Sequence, residues 1–166
     1  MTRQKSYSDL LKSIPKPEKT PEFNIGGKLI ICLIEYRIME EIEYVINAVL
    51  RVYNCQDIGL AIVHGTHNEK YINEKFGTWN NIKLINTKHQ NLDRGGYSAL
   101  LKQPQFYENF SNWSHMLVYQ TDALLIRRID DVYFDFDYIG APWTTKNQWT
   151  KYNAGNGGFS LRNVKN

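Results

Sequence analysis

The polar trio Gln120-Thr121-Asp122 interrupts a run of strand-forming residues, VYQTDALLIR at 118–127. A carboxylate set where a buried strand should be apolar is costly unless it is paired or bound to a metal. Asp122 is therefore a candidate metal ligand; the plain alternative is that Thr121-Asp122 forms a capped strand end or a turn with no ligand. Further on, NAGNGGFSLRN at 153–163 opens a second apolar run, Phe159-Ser160-Leu161, with Asn156-Gly157-Gly158. Glycines there let the backbone approach a ligand or adopt dihedrals closed to other residues. A third constellation, Asn91-Leu92-Asp93-Arg94-Gly95-Gly96, precedes a helix-like stretch. Amides at such a helix start attract anions, and Arg94 adds a fixed charge, while Asp93 is placed either to cap the turn or to hold a ribose.

Other constellations support less. His64 and His67 lack a Cys or acid partner at zinc-ligand spacing. His89 and His115 are isolated. Asp130, Asp131, Asp135 and Asp137 resemble the paired carboxylates of glycosidases in number, but they sit among aromatics in a connector, which favours solvated or capping roles. No G-x-S-x-G, Walker or Rossmann glycine pattern is present.

Taken as a set, Gln120–Asp122 (QTD), the DYIGAPW segment at 137–143 and the GNGG-S-LR segment at 155–162 resemble a family of GT-A-type glycosyltransferases. The likeness runs from about Lys28 to the chain end. It implies a GT-A-like α/β fold with a mostly parallel central sheet flanked by helices. It also implies transfer of a sugar from a nucleotide-sugar donor, UDP-sugar favoured, to a carbohydrate or glycoconjugate acceptor, assisted by Mn²⁺ or Mg²⁺. A full DxD motif would have an acid at position 120. Asp122 keeps the half most often bound to metal in that group, and the Gln120 amide can bond a ribose hydroxyl or a metal-bound water. Donor contacts are implied for Glu35, Tyr36 and Arg37 after the first strand, for Asp93, Arg94 and Gly95, and for Gln120, Thr121 and Asp122. Asn156, Gly157 and Gly158 would line the space between donor sugar and acceptor, and Trp143 or Tyr152 would stack on a sugar. GT-A domains usually extend well beyond this length, so the chain is expected to be either a fragment of a longer enzyme or a shortened homologue without the acceptor half, and a catalytically incompetent nucleotide-sugar or carbohydrate-binding module is the second expectation. A nucleotidyltransferase would need a phosphate-gripping glycine loop after the first strand, where Glu35-Tyr36-Arg37-Ile38 stands instead.

Composition frames these readings. A chain of 166 residues fits one domain. A formal charge of +3 is too small to argue for nucleic acid, and no apolar run reaches the length of a membrane span. The first residues, MTRQKSYSDLLKSIPKPEK, lack the apolar core of a secretory signal. The expectation is a cytoplasmic or other reducing compartment, with Cys32 and Cys55 as free buried thiols rather than a disulfide.

The elements that must position these residues alternate. Pro15, Pro17 and Pro21 make residues 1–27 an arm, with a short amphipathic turn possible at 7–14; residues 28–166 form the domain. KLIICLI at 28–34 is a continuous branched apolar run, as in a strand covered on both faces. Residues 39–52 place Ile42, Val45, Ile46, Val49 and Leu50 at helical spacing. Strands at 58–63 and 82–85 flank a helix at 67–76. Helices at 97–103 and near 104–110 precede a motif strand at 116–126, and 131–139 reads as a short turn or edge strand. Strand–helix alternation predicts a parallel sheet, with ligands beyond the carboxyl ends of its strands.

Overall fold

The computed structural model describes residues 6–142 and 154–165. Its elements in chain order are α1 (Tyr7–Lys12), β1 (Gly27–Ile34), α2 (Glu41–Val52), β2 (Gly59–His64), α3 (Glu69–Phe76), β3 (Lys83–Asn86), α4 (Arg94–Leu100), α5 (Pro104–Glu108), β4 (Trp113–Tyr119), β5 (Tyr138–Pro142) and β6 (Ala154–Asn163). The strands form a six-stranded sheet in the order β3-β2-β1-β4-β6-β5. β3, β2, β1 and β4 run parallel, while β6 is antiparallel to both β4 and β5. The architecture is therefore mixed α/β, with a mostly parallel sheet between helices.

The continuous apolar runs explain the middle of this sheet. β1 is buried from Leu29 to Ile34, and every residue of β2 is buried, because helices cover both faces. Side chains alternate between those faces. Ile31 and Leu33 join Ile42, Val45, Ile46, Ile72 and Phe76 under α2 and α3. Ile30, Cys32 and Ile34 join Val118, Leu101, Phe106 and Phe110 under α4 and α5. Cys32 is buried and Cys55 half-buried, and both are free thiols.

The segment read as an arm lies against the domain. Ser6 and Asp9 close a reciprocal capping box on α1, and Leu11, Ile14 and Phe23 are buried in the same cluster as α2. Burying a leucine of this kind is worth about 1.5–3 kcal/mol, enough to hold a helix of only two turns that would not persist alone.

The motif strand ends earlier than its sequence suggests. β4 stops at Tyr119, and Gln120–Asp122 lie in a turn closed by the Ala123 N–H on the Gln120 carbonyl at 3.2 Å. The apolar Leu124-Leu125-Ile126 that follows is loop. Its Leu125 N–H donates to the Tyr119 hydroxyl at 2.9 Å. Leu125 is buried, whereas Ile126 is 79% exposed. Among the described residues, no helix is long and apolar enough to cross a membrane.

Candidate functional site

The chain leaves β1 on one side toward β2 and β3 and returns on its other side as β4. The crevice beyond the carboxyl ends of β1 and β4 is thus a topological switch point, the position where open α/β sheets bind ligands. Register places the two ends side by side, with Leu33 opposite Tyr119. Glu35 and Thr121, two residues further along each chain, meet at 3.2 Å, the Thr121 hydroxyl donating to the carboxylate.

Glu35 is the buried carboxylate of this site. It is 6% exposed and also accepts the backbone N–H groups of Tyr36 and Arg37 at 3.0 and 2.9 Å. The Arg37 guanidinium grips it twice, at 2.8 and 2.7 Å. Burial alone would raise its pKa, but the Arg37 contacts and the Thr121 hydroxyl outweigh that and hold it below the ordinary glutamate value. Glu35 therefore folds the loop after β1 into a fixed shape and presents Arg37, whose side chain is 64% exposed, at the crevice. Tyr36 is buried, its hydroxyl sharing a 2.8 Å hydrogen bond with Thr87 beyond β3.

Asp122 differs from its sequence expectation. It is exposed at the tip of the turn rather than embedded in a strand, so it bears no large desolvation penalty. Neither Arg94 nor Arg127 pairs with it; Arg127 bonds Asp130 at 3.1 Å, and among the described residues Asp122 forms no salt bridge. Thr121 beside it is buried. Gln120 is half-buried at the strand end.

Two supporting residues escaped the sequence reading. The Tyr7 hydroxyl reaches the carbonyls of Thr121 and Ala123 at 3.1 and 3.0 Å, straddling Asp122. Burial and then the charges of Asp122 and Glu41 raise the Tyr7 pKa, so it remains a donor. Asn68, fully buried, donates to the carbonyls of Glu35 and Arg37 at 2.9 and 3.2 Å and accepts from Gly65 at 3.0 Å. It ties the loops after β1 and β2 together. Gly65 is obligatory there, because a Cβ would lie 2.3 Å from the His89 carbonyl and 2.6 Å from Tyr36. A tyrosine at the start of a short helix and a lone asparagine give no periodic signal; only their partners, far along the chain, define their roles.

The remaining candidates fall in several places. Asp93 is the N-cap of α4 and accepts the Gly96 N–H at 2.7 Å. Its carboxylate thus occupies an amide that an anion would otherwise use, with Arg94 and Gly95 exposed beside it. Gly157 stands in β6, where a Cβ would come within 3.1 Å of the Arg162 guanidinium, so its bareness makes room for that arginine. Gly158 follows it in β6, and Asn156 pairs with Ala141 of β5. Trp143 and Tyr152 lie outside the described residues. His64 is buried and contacts the Gly65 carbonyl at 3.1 Å, while His67 is exposed. Asp130 and Asp131 are paired with Arg127 and Lys28, and Asp137 accepts from Asn163 at 3.1 Å. Among the described residues, no group of three or more His, Cys, Asp and Glu side chains is arranged to hold a metal ion.

Chemically, the crevice offers the exposed Asp122 carboxylate, the exposed Arg37 guanidinium and several fixed backbone groups at the sheet's switch point. No curated protein matches this chain. Residues 81–166, which include β3 through β6 and the Gln120–Asp122 turn, match a family described as a protein of unknown function, DUF5672, and the chain belongs to that family.

Proposed function

We propose that this chain forms the donor-binding part of a GT-A-like glycosyltransferase, which transfers a sugar from a nucleotide-sugar, UDP-sugar favoured, to a carbohydrate or glycoconjugate acceptor. One observation carries the reading: the Asp122 turn and the Arg37 loop meet at the switch point between β1 and β4. The QTD, DYIGAPW and GNGG-S-LR resemblance supports it.

In this reading Arg37 and the rigid backbone after β1 hold the nucleotide, Gln120 bonds a ribose hydroxyl, and Gly157 and Gly158 keep the space between donor and acceptor open. Asp122 suits a hard divalent cation, being exposed and an acceptor-only oxygen donor. Mn²⁺ or Mg²⁺ held there together with the donor's own oxygens would neutralise charge on the departing diphosphate. Glu35 and Tyr7 brace the two loops through their own hydrogen bonds.

A second reading, nucleotide-sugar or carbohydrate binding without transfer, is favoured by one observation. Among the described residues Asp122 has no second and third carboxylate or imidazole grouped with it to complete a metal shell. Detection of sugar transfer or donor hydrolysis by this chain refutes that second reading.

The test is calorimetric titration with UDP- and GDP-sugars, with and without Mn²⁺, on the wild type and Asp122→Ala. The wild type is expected to bind a UDP-sugar in a cation-dependent way. Asp122→Ala should lose that binding while its stability moves by less than about 0.5 kcal/mol, as for an exposed substitution. If no nucleotide-sugar binds under any of these conditions, the proposal fails.

A further inference from the structure

Among the described residues, only Asn86, Tyr97 and Trp113 keep a buried polar side-chain atom without a hydrogen-bond partner. A buried hydroxyl of this kind is destabilising unless something else uses it. Tyr97 stands out by its surroundings. It lies on α4 and packs on the cluster containing Cys32 and Val118, next to the strand end that leads into Gln120–Asp122.

Just past the end of α4, the carbonyl of its C-cap Leu101 accepts from Arg162 at 3.4 Å and from the Tyr107 hydroxyl at 2.8 Å. Arg162 also donates to Tyr107 at 2.8 Å and to Ser160 at 3.1 Å. Each of these acceptors is neutral, and among the described residues Arg162 forms no salt bridge. An orphan donor and a half-buried cation thus share one side of the sheet end, and the Asp122 carboxylate stands nearby. Burial, with contributions from Cys32 and Asp122 and against the opposing charge of Arg162, raises the Tyr97 pKa. At neutral pH its hydroxyl is a donor.

We propose that Tyr97 and Arg162 form an anion subsite for a phosphate of a nucleoside diphosphate, Tyr97 donating its O–H to a phosphate oxygen and Arg162 supplying the charge. The inference rests on the nucleotide-sugar reading and assigns the diphosphate end of that ligand. The sign of the charges supports it: an oxyanion seated here satisfies the hydroxyl and the guanidinium together, and a divalent cation on the Asp122 side offsets that carboxylate's repulsion. The hydroxyl is shielded from solvent, so a phosphate reaches it only after a neighbouring side chain moves.

The experiment titrates the full chain, Tyr97→Phe and Arg162→Gln with UDP, uridine and inorganic pyrophosphate in the presence of Mn²⁺, and records a melting curve for each. Tyr97→Phe should weaken UDP and pyrophosphate about ten-fold, leave uridine unchanged and melt no lower than the wild type, since it deletes only an unpaired oxygen. Arg162→Gln should weaken UDP and pyrophosphate at least as much. Undiminished UDP binding by both variants overturns the subsite while leaving the nucleotide-sugar reading standing. Pyrophosphate binding that depends on Tyr97, in a chain that binds neither UDP nor uridine, overturns the assignment to a nucleoside diphosphate and sinks the nucleotide reading with it. A Tyr97→Phe chain that melts lower and loses UDP and uridine alike overturns the proposal, because it marks a packing role. Failure of the wild type to bind any of the three probes overturns both.

Discussion

Replacing Glu35 by alanine should destabilise the fold by about 2–4 kcal/mol, and the structure shows where that comes from. The carboxylate accepts five hydrogen bonds, from the Tyr36 and Arg37 backbone, twice from the Arg37 guanidinium, and from Thr121. The Arg37 side chain is 64% exposed, so water recovers most of what it loses, and its ion pair is discounted accordingly. Thr121 can turn its hydroxyl toward the Met39 sulfur, already 3.8 Å away. The Tyr36 N–H belongs to a buried residue, and the Arg37 N–H follows it into the loop; orphaned donors of this type cost about 1–3 kcal/mol each. Relief of the carboxylate's own desolvation trims the sum. The assay is urea unfolding followed by far-UV circular dichroism, across a pH series. Because Glu35 titrates below its ordinary value in the folded chain, its stabilising contribution is fully present above the unfolded glutamate value of about 4.3. That contribution disappears as pH falls through the depressed folded value. The gap between wild type and Glu35→Ala should therefore be constant at neutral pH and close on acidification. A mutant within 0.5 kcal/mol of the wild type at pH 7, or a gap that widens in acid, refutes the reasoning.

Two further changes probe the supports of the site and the core. Tyr7→Phe removes the hydroxyl that bridges the Thr121 and Ala123 carbonyls; about 0.5–1.5 kcal/mol of stability should go, with faster amide hydrogen exchange at Ala123 and Leu125, and unchanged exchange there would show that α1 does not brace the turn. Gly59→Ala sets a Cβ 2.4 Å from the Trp113 ring, itself 1% exposed, so it should destabilise by about 1–3 kcal/mol and alter the near-UV tryptophan signal; a silent substitution would mean the ring moves freely.

How far the sequence disclosed this arrangement depends on the range of the interactions. The branched run at 28–34 and the helical spacing of Ile42, Val45, Ile46 and Val49 are local patterns, and both elements formed within a few residues of their expected bounds. The start of α4 moved to Arg94 because the Asp93 side chain caps it, a signal present in the sequence but outweighed by the glycines. Leu124-Leu125-Ile126 read as strand because apolar residues alone do not say whether a backbone ladder exists. Among the described residues this segment pairs with no strand, and Leu125 bonds a tyrosine hydroxyl instead. The lysines and prolines around Leu11, Ile14 and Phe23 masked three core residues. Asp122 and Arg37 were singled out by residue type alone, and both lie exposed at the crevice. Glu35 is separated from Thr121 by 86 residues and Tyr7 from the same loop by 114, and no local pattern encodes contacts at that distance.

The pairing of β1 with β4 has a consequence for how the molecule comes into being. Strands β1, β2 and β3 are neighbours in sequence and can assemble through their connecting helices as the chain leaves the ribosome. β4 must then find the opposite edge of β1, in register from Gly27 with Trp113 to Leu33 with Tyr119. Such a late, non-local closure is slow and leaves one edge of β1 open to association with other chains until it occurs. The Glu35–Thr121 contact cannot exist before it. The crevice is therefore assembled in the step that completes the central sheet, so a substitution that delays β4 docking should lower the yield of native protein and the number of molecules with a formed crevice in the same proportion.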